Sequence, residues 1–387
     1  MKRRTLAGLV FLVVILSVGV GGHAYLIQRL ALEPGWPEPL RSALVATFGI
    51  GLSAVLTQIF VRRRLGILSS ALSWVAYVWL GFTFLLLTTT FATDAGLWIL
   101  GAASASPQEV LLLARARAVL VAGVASAAAV VALRQGLAAP GVRRIAIPLA
   151  RWPQALDGFR IVQISDLHIG PLLDRRFAAE VAARVNALAP DLVAVTGDLV
   201  DGSVARVGAE VEPLAAIRAR HGVYFITGNH DFYSGADAWA DRVRELGWRA
   251  LRNERVAIGD GDARFDLAGV DDHNGALLGP GQGEDLARAL DGRETALPVV
   301  LLAHDPSTFR KASQKGVDLQ LSGHTHGGQI WPFRYLVRAA VPWIAGLYRV
   351  GASAVYVSRG TGFWGPPMRL GAPSEITELT LRAGAEA

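Results

Sequence analysis

The chain has 387 residues, of which 52% are hydrophobic, and it contains no cysteine. The lack of cysteine excludes disulfides, thiolate zinc sites and a cysteine nucleophile, so any metal must be held by His, Asp, Glu or Asn. The formal net charge is +6, and residues 1–150 contain 13 Lys and Arg against 4 Asp and Glu. Because these basic residues flank apolar stretches, they indicate a membrane, and no nucleic-acid partner is expected.

Apolar stretches predict an all-α transmembrane region of about four helices over residues 1–138. The uncharged runs are Thr5–Gly22, Ser42–Val61, Leu65–Thr93 and Ala118–Leu133. The first three approach or exceed the roughly 20 residues that a helix needs to cross a bilayer. The fourth is short and rich in Ala. It spans only if its helix starts near Leu111, with Arg115 and Arg117 extending to the membrane surface. A cleaved signal peptide is the alternative for the first run, and buried core helices for the others.

The basic residues between these runs predict the orientation. Lys2, Arg3 and Arg4 precede the first run, Arg62–Arg64 follow the second, and several Arg follow the fourth. The positive-inside rule therefore predicts a multi-pass protein of the inner (cytoplasmic) membrane, with the N-terminus and the C-terminal part in the cytoplasm. Pro140-Gly141 and Trp152-Pro153 predict a linker over residues 139–156 and a globular domain over 157–387.

From residue 157 onward, short runs rich in Val, Ile and Leu alternate with helical periodicity at 175–188 and 237–246. This alternation is typical of an α/β domain with a parallel sheet. The last two runs, at residues 354–358 and 375–381, have no helix between them and predict a mixed sheet or a second sheet. Gly259–Asp262 is predicted to be a hairpin turn.

Five of the short runs end in Asp, Asn or His. The motifs are Asp166-Leu167-His168, Gly197-Asp198-Leu199-Val200-Asp201, Gly228-Asn229-His230-Asp231, His304-Asp305 and Gly323-His324-Thr325-His326. In open α/β sheets the functional site lies beyond the carboxyl ends of the strands. Each motif is common by itself, but together they contain five of the eight histidines. His, Asp and Asn are ligands for hard to borderline cations, so the combination predicts a metal site.

This ordered set of motifs resembles the calcineurin-like metallophosphoesterases. The later segments Gly327-Gly328-Gln329 and Ser358-Arg359-Gly360 are similar to the bacterial, membrane-anchored branch of that family. The resemblance covers residues 157–383 and implies a metallophosphoesterase catalytic domain over residues 157–387. It also implies an α/β fold in which two mixed β-sheets are sandwiched and flanked by helices.

The resemblance further implies a binuclear centre of two divalent metal ions. One ion would be held by Asp166, His168, Asp198 and His326, and the other by Asp198, Asn229, His304 and His324. A carboxylate with two oxygens, such as that of Asp198, can bridge two cations. The pair of cations would attract a phosphate and lower the pKa of a water molecule between them. Mn²⁺, Fe²⁺ and Zn²⁺ suit these ligands alike.

The resemblance assigns catalytic roles to two more residues. His230 would protonate or hydrogen-bond the leaving-group oxygen, and Asp201 would orient His230, although a turn cap is the alternative for Asp201. The expected function is a membrane-anchored, metal-dependent phosphohydrolase that cleaves phosphomonoester, phosphodiester or pyrophosphate bonds, with a lipid-linked substrate among the options. The alternatives are a tethered phosphodiesterase for soluble nucleotides, and a membrane sensor or transporter regulated by a phosphoesterase-like domain.

Two further segments are open to more than one interpretation. Asp271-Asp272-His273 follows an apolar run, and we favour a structural loop over a contribution to the site. Trp331–Tyr348 is apolar and aromatic. Two interpretations fit this segment equally well. One is packing in the core, and the other is an exposed edge of the site that contacts the bilayer or a lipid substrate, because Trp, Tyr and Arg favour the membrane interface.

Overall fold

The structure is a computed structural model that describes residues 13, 16–60, 68–99, 106–261, 263–277 and 282–384. These residues divide into two units. The first runs to Arg134 and also includes Gly365–Met368, and the second contains Gln135–Trp364 and the chain from Arg369 onward. The first unit contains the predicted transmembrane region up to Arg134, and the second contains the predicted globular domain apart from Gly365–Met368.

The first unit is built from long apolar helices. Helix α1 (residues 16–26) continues as a π-helix, Ile27–Leu32, and is followed by α2 (Leu40–Phe60), α3 (Leu68–Ile99) and α4 (Pro107–Gly136). Helices α2, α3 and α4 are long and apolar enough to cross a membrane. Of the predicted first span, Thr5–Gly22, residues 5–12 and 14–15 lie outside the described residues.

The helix that contains the fourth predicted span is longer than the uncharged run Ala118–Leu133. Helix α4 begins at Pro107 rather than near Leu111, because Ser106 and Glu109 form a capping box there. The backbone N–H of Ser106 donates to the Glu109 carboxylate at 2.7 Å, and the Ser106 hydroxyl accepts from the Glu109 N–H at 3.4 Å. A proline in the first turn suits a helix start, because its missing N–H would have no partner there in any case.

The two arginines of this span form specific contacts within the helical unit. Arg117 is buried, and its guanidinium lies 2.9 Å from Asp94 and 2.6 Å from Glu33. Arg115 donates a hydrogen bond of 2.9 Å to the Pro34 carbonyl. Two carboxylates thus neutralise the charge of Arg117 within the helical unit, and the extension of both side chains to the membrane surface stays a prediction.

Among the residues that the structure describes, the second unit contains twelve strands. Their bounds are β1 (Gly141–Leu149), β2 (Phe159–Ile164), β3 (Leu192–Thr196), β4 (Val223–Ile226), β5 (Arg249–Ala250), β6 (Glu254–Asp260), β7 (Ala263–Gly269), β8 (Val299–Leu302), β9 (Leu319–Ser322), β10 (Gly346–Val350), β11 (Ser353–Val357) and β12 (Glu375–Ala383). They form two six-stranded mixed sheets, ordered β1-β12-β2-β3-β4-β5 and β10-β11-β9-β8-β7-β6. Neighbouring strands are parallel from β2 to β5 in the first sheet and among β7, β8, β9 and β11 in the second.

The two sheets pack face to face. One apolar cluster joins Ile161 and Leu379 of the first sheet to Val300, Leu321 and Tyr356 of the second. The outer face of the first sheet is covered by α5 (Arg175–Ala187) and α8 (Ala236–Glu245), and that of the second by α9 (Leu286–Ala289) and α10 (Phe309–Gln314). The remaining helices are the short α6 (Val204–Val207), α7 (Asn229–Ser234) and α11 (Arg334–Ala340). The implied sandwich of two mixed sheets flanked by helices is therefore confirmed.

The predicted linker over residues 139–156 contains a strand. Strand β1 lies within it and pairs in parallel with β12 along its whole length, from Gly141 opposite Glu375 to Leu149 opposite Ala383. Its polar Arg143-Arg144 and its position at the sheet edge leave much of it accessible. A half-exposed edge strand has only a weak apolar pattern. The turn-forming residues on either side of β1 are the stronger signal in the sequence, and they predict a linker.

Candidate metal centre

The expected metal ligands all follow strand ends, and the fold brings the ends of five strands together. Asp166 and His168 follow β2, Asp198 follows β3, Asn229 follows β4, His304 follows β8, and His324 and His326 follow β9. Both sheets therefore contribute ligands. This is the arrangement expected where the carboxyl ends of parallel strands meet.

The first group of ligand atoms is centred on two facing imidazoles. Nε2 of His168 lies 3.1 Å from Nε2 of His326. Oδ1 of Asp166 lies 3.4 Å from the same His326 nitrogen, and Oδ2 of Asp198 lies 3.7 Å from Nε2 of His168. The four residues expected to hold one metal ion are therefore neighbours in space.

The second group shares Asp198 with the first. Oδ2 of Asp198 lies 3.2 Å from Nε2 of His304, and His324 contributes a ring nitrogen within 4.8 Å of both. Oδ1 of Asn229 lies 2.9 Å from Nδ1 of His324. One carboxylate thus connects two groups of ligands, which is the arrangement expected of a bridging ligand.

The donor set fits divalent cations. Oδ2 of Asp166 and Nε2 of His304 are buried and have no hydrogen-bond partner among the described residues. Buried polar atoms almost always have a partner, and the chemistry of these atoms is that of metal ligands. The Nδ1 of His304 lies 2.8 Å from the Thr196 carbonyl oxygen, so Nδ1 carries the proton and Nε2 keeps its lone pair.

The backbone at these ligands is unusual. Eight non-glycine residues with positive φ occur in the described part of the chain, and five of them are expected ligands: Asp166, His168, Asp198, His324 and His326. Each such residue costs free energy, and residues of this kind concentrate at functional sites. Glycines permit the close packing that results, since a Cβ on Gly228 would lie 2.2 Å from Oδ1 of Asp198.

Backbone N–H groups hold the two carboxylates in place. The N–H of His230 donates to Oδ1 of Asp198 at 2.8 Å, and the N–H of His324 donates to Oδ1 of Asp166 at 2.9 Å. The second oxygen of Asp198, Oδ2, faces His168 and His304, whereas in Asp166 the oxygen that accepts the N–H, Oδ1, is also the one that lies near His326. The pKa of Asp198 is held well below its usual range. Burial alone would raise this pKa, but the nearby imidazoles of His304, His230 and His168 lower it by more than burial raises it.

His230 lies beside this centre, and one of its ring nitrogens lies within 4.8 Å of ligand atoms of His168 and Asp198. Its Nδ1 lies 2.6 Å from Oδ1 of Asp201, and its side chain is partly exposed. Burial lowers the pKa of His230, but the hydrogen bond to Asp201 and the charge of Asp198 outweigh burial and raise that pKa to about 9. In the absence of metal, His230 is therefore protonated at neutral pH.

Two residues that support the site were given no role by the sequence patterns. Asp231 accepts hydrogen bonds from the N–H groups of Gly228 at 2.8 Å and Leu199 at 3.0 Å, and so ties the loops after β3 and β4 together. Its place in the Asn229-His230-Asp231 motif was a usable signal. Arg369 is fully buried, and its guanidinium lies 3.2 Å from Nδ1 of His326. No motif marks Arg369.

The two ambiguous segments have different environments. Asp271 accepts a hydrogen bond from the Thr227 hydroxyl at 2.8 Å, which supports a structural loop. In the segment Trp331–Tyr348, Trp343 packs against Phe309 with the ring centroids 5.2 Å apart. Helix α11, in contrast, has no buried residue. Core packing thus accounts for the end of this segment, whereas its first half is exposed.

The fold and the site agree with the comparisons with known proteins. The profile of the calcineurin-like phosphoesterases matches residues 159–328. An uncharacterized metallophosphoesterase of Aquifex aeolicus is 34% identical over 244 residues, covering 62% of this chain and 91% of that protein. One of Bacillus subtilis is 33% identical over 240 residues, covering 60% of this chain and 82% of that protein. The chain belongs to the calcineurin-like metallophosphoesterase family.

Relatives with a membrane region also match. A "transmembrane protein with metallophosphoesterase domain" of Danio rerio is 40% identical over 251 residues, covering 63% of this chain and 57% of that protein. Its counterpart in Bos taurus is 39% identical over 284 residues, covering 70% of this chain and 63% of that protein. The chain thus spans less than two thirds of the length of these two relatives.

Proposed function

We propose that this protein is a membrane-anchored phosphohydrolase that uses two divalent metal ions. The observation that carries the proposal is the position of Asp198, whose Oδ2 lies 3.2 Å from Nε2 of His304 and 3.7 Å from Nε2 of His168. One carboxylate thereby belongs to both ligand groups. Family membership, the buried ligand atoms without partners and the three apolar helices support the same function.

We assign the ligands as follows. Asp166, His168, Asp198 and His326 would hold one ion, and Asp198, Asn229, His304 and His324 the other. Bound cations would supply Lewis-acid stabilisation of the phosphoryl group and lower the pKa of the attacking water. The ligands suit Mn²⁺, Fe²⁺ and Zn²⁺.

The chain's own acid completes the proposed reaction. His230 donates its Nε2 proton to the oxygen of the leaving group as the phosphorus–oxygen bond breaks. Asp201 contacts Nδ1 of the same ring at 2.6 Å, which fixes the tautomer and favours the protonated ring. Phosphomonoesters, phosphodiesters and pyrophosphates all contain a leaving oxygen of this kind. We place the active site on the cytoplasmic face of the membrane.

The test uses the purified full-length protein with phosphoesters that differ in the acidity of the leaving group. The change is His230→Ala. With alkyl phosphates, whose alkoxide leaves poorly, we expect turnover to fall by about 10²–10⁴. With p-nitrophenyl phosphate, whose leaving group needs little protonation, the loss should be much smaller. Metal content, measured by elemental analysis, should be unchanged.

The control is His221→Ala, because His221 packs against Phe159 and lies outside the ligand groups. This variant should retain the wild-type dependence on the leaving group. An equal loss of turnover for every leaving group in His230→Ala would contradict the acid role. Failure of the metal-loaded wild-type protein to hydrolyse any phosphoester would contradict the proposed function as a whole.

A further inference from the structure

Two aromatic side chains contact the ring of His230. The ring centroid of Tyr233 lies 5.6 Å away at an interplanar angle of 61°, and that of Trp364 lies 6.2 Å away at 77°. His230 is the residue that faces the leaving group in the proposed reaction. These rings therefore border the space into which the alcohol portion of a substrate must extend.

Both rings are open to solvent. Tyr233 is 63% exposed and Trp364 is 49% exposed. Large aromatic side chains are normally buried, and an exposed pair beside a polar centre is a feature of binding sites. Neither residue belongs to the ligand groups. Packing of the core does not account for their positions, although the Tyr233 hydroxyl forms a hydrogen bond with the side chain of the expected ligand Asn229.

Trp364 is held in place from a neighbouring loop. Its backbone N–H donates to Oε1 of Gln329 at 2.9 Å, and its carbonyl accepts from Nε2 of Gln329 at 2.8 Å. Gln329 follows the ligand-bearing loop, and after the buried Ile330 the chain exposes Trp331, Phe333 and Leu336. The position of Trp364 is thus fixed by a loop that continues into an exposed apolar segment.

We propose that Tyr233 and Trp364 form a leaving-group subsite for an apolar alcohol, and that the substrate is a lipid phosphoester. This inference rests on the proposed function and assigns its substrate class. The apolar part of the lipid lies against the two rings while His230 contacts the ester oxygen. The exposed segment from Trp331 to Leu336, which follows Gln329, offers further apolar surface to the lipid chain.

A nucleoside is the other leaving group that would stack on aromatic rings. A base occupies one stacking position, and it gains nothing from the further apolar surface of Phe333 and Leu336. A lipid chain uses that whole surface. The same chain contains three helices that are long and apolar enough to cross a membrane, so the protein has lipid available to it. These observations favour the lipid.

Chain length is the direct probe of such a subsite. We would measure the binding of n-alkylphosphonates, from ethyl to octyl, to the full-length protein in nanodiscs by calorimetry, with empty nanodiscs subtracted. Phosphonates bind without being hydrolysed, so the result does not depend on turnover. We expect the affinity of the wild type to rise roughly two- to fourfold with each added methylene group.

The variants Trp364→Ala and Tyr233→Ala should each reduce this dependence on chain length, and Trp364→Phe should largely restore it. Trp98→Ala is the matched control, because Trp98 is 84% exposed and belongs to the helical unit. It should keep the wild-type dependence. Circular dichroism would establish that each variant is folded.

Two results would overturn this inference. One is an affinity of the wild type that does not change with chain length. The other is tighter binding of adenosine monophosphate than of octylphosphonate, with the difference lost in Trp364→Ala, which would identify a nucleoside subsite instead. A protein that binds phosphonates with the expected chain-length dependence but hydrolyses no ester would contradict the proposed function and leave the ligand class intact.

Discussion

Oδ1 of Asp201 lies 2.6 Å from Nδ1 of His230 and 3.1 Å from Nδ1 of His168. One carboxylate oxygen therefore contacts the proposed acid and one of the proposed metal ligands. Because Asp201 engages Nδ1 of both rings, Nε2 of each ring is left for function: toward the metal in His168 and toward the leaving group in His230. A turn cap, the alternative interpretation of Asp201, would not require either contact.

This geometry predicts the effect of Asp201→Asn on the pH profile. Asp201 raises the pKa of His230, so its replacement by a neutral amide lowers that pKa. The acid acts in its protonated form, and activity falls as the pH rises through the pKa. The alkaline limb of the kcat profile should therefore move to lower pH, by about one unit or more. The measurement is kcat against pH with an alkyl phosphate.

The matched control for this shift is Asp241→Asn. Asp241 is an exposed carboxylate that pairs with Arg244 at 2.7 Å on α8. The alkaline limb of this variant should coincide with that of the wild type. If the limb of Asp201→Asn also coincided with the wild type, Asp201 would not set the protonation of His230.

The sequence was most informative about residues whose structure and chemical role both depend on their own short segment. Short apolar runs that end in His or Asp predicted both the central strands and the residues at the site, because a ligand at a strand end needs only its own segment. The contact of Arg369 with His326 joins residues 43 positions apart through a fully buried side chain. No local pattern encodes such a contact, since it depends on how the segments pack.

The same limit applies to two further features of the fold. Strand β1 is stabilised by pairing with β12, more than 200 residues later, so its own half-exposed sequence resembled a linker. The burial of Arg117 depends on carboxylates contributed by Asp94 and Glu33, which precede it by 23 and 84 residues. A charge in an apolar run looks unfavourable until its partners are known.

A second prediction concerns the shared ligand. Asp198→Asn should lose at least one metal ion and nearly all activity, because Asp198 is the one residue assigned to both ions. The domain should remain folded, since an amide has nearly the same volume and the sheets pack through apolar residues elsewhere. Elemental analysis gives the metal content, and circular dichroism gives the fold.

Removal of metal from the wild type should have a parallel effect. A chelator should abolish activity and lower the melting temperature, because ions that bind only the folded state stabilise it. Asp241→Asn should bind metal as the wild type does. Two metal ions per chain in an active Asp198→Asn variant would contradict the assignment of Asp198 as the bridge.

The last prediction is the side of the membrane on which the active site lies. With the N-terminus in the cytoplasm, four crossings return the second unit to the cytoplasm, whereas three crossings place it outside. The helix that decides is α4, a single helix from Pro107 to Gly136 that is long and apolar enough to cross a membrane. Arg134, Arg143 and Arg144 follow it closely, and positive charges of this kind favour the cytoplasmic side.

The measurement is a pair of fusions at Ala387, one with a reporter that is active only in the cytoplasm and one with a reporter that is active only outside. We expect signal from the cytoplasmic reporter alone. The matched control is a shorter protein in which the same reporters are fused directly before Ser106. It lacks α4, and the two signals should be inverted because each crossing reverses the orientation. Signal from the outer reporter alone in the full-length fusion would overturn the topology. The substrates would then be phosphoesters of the outer leaflet or cell envelope, while the proposed chemistry at Asp198 and His230 would be unaffected.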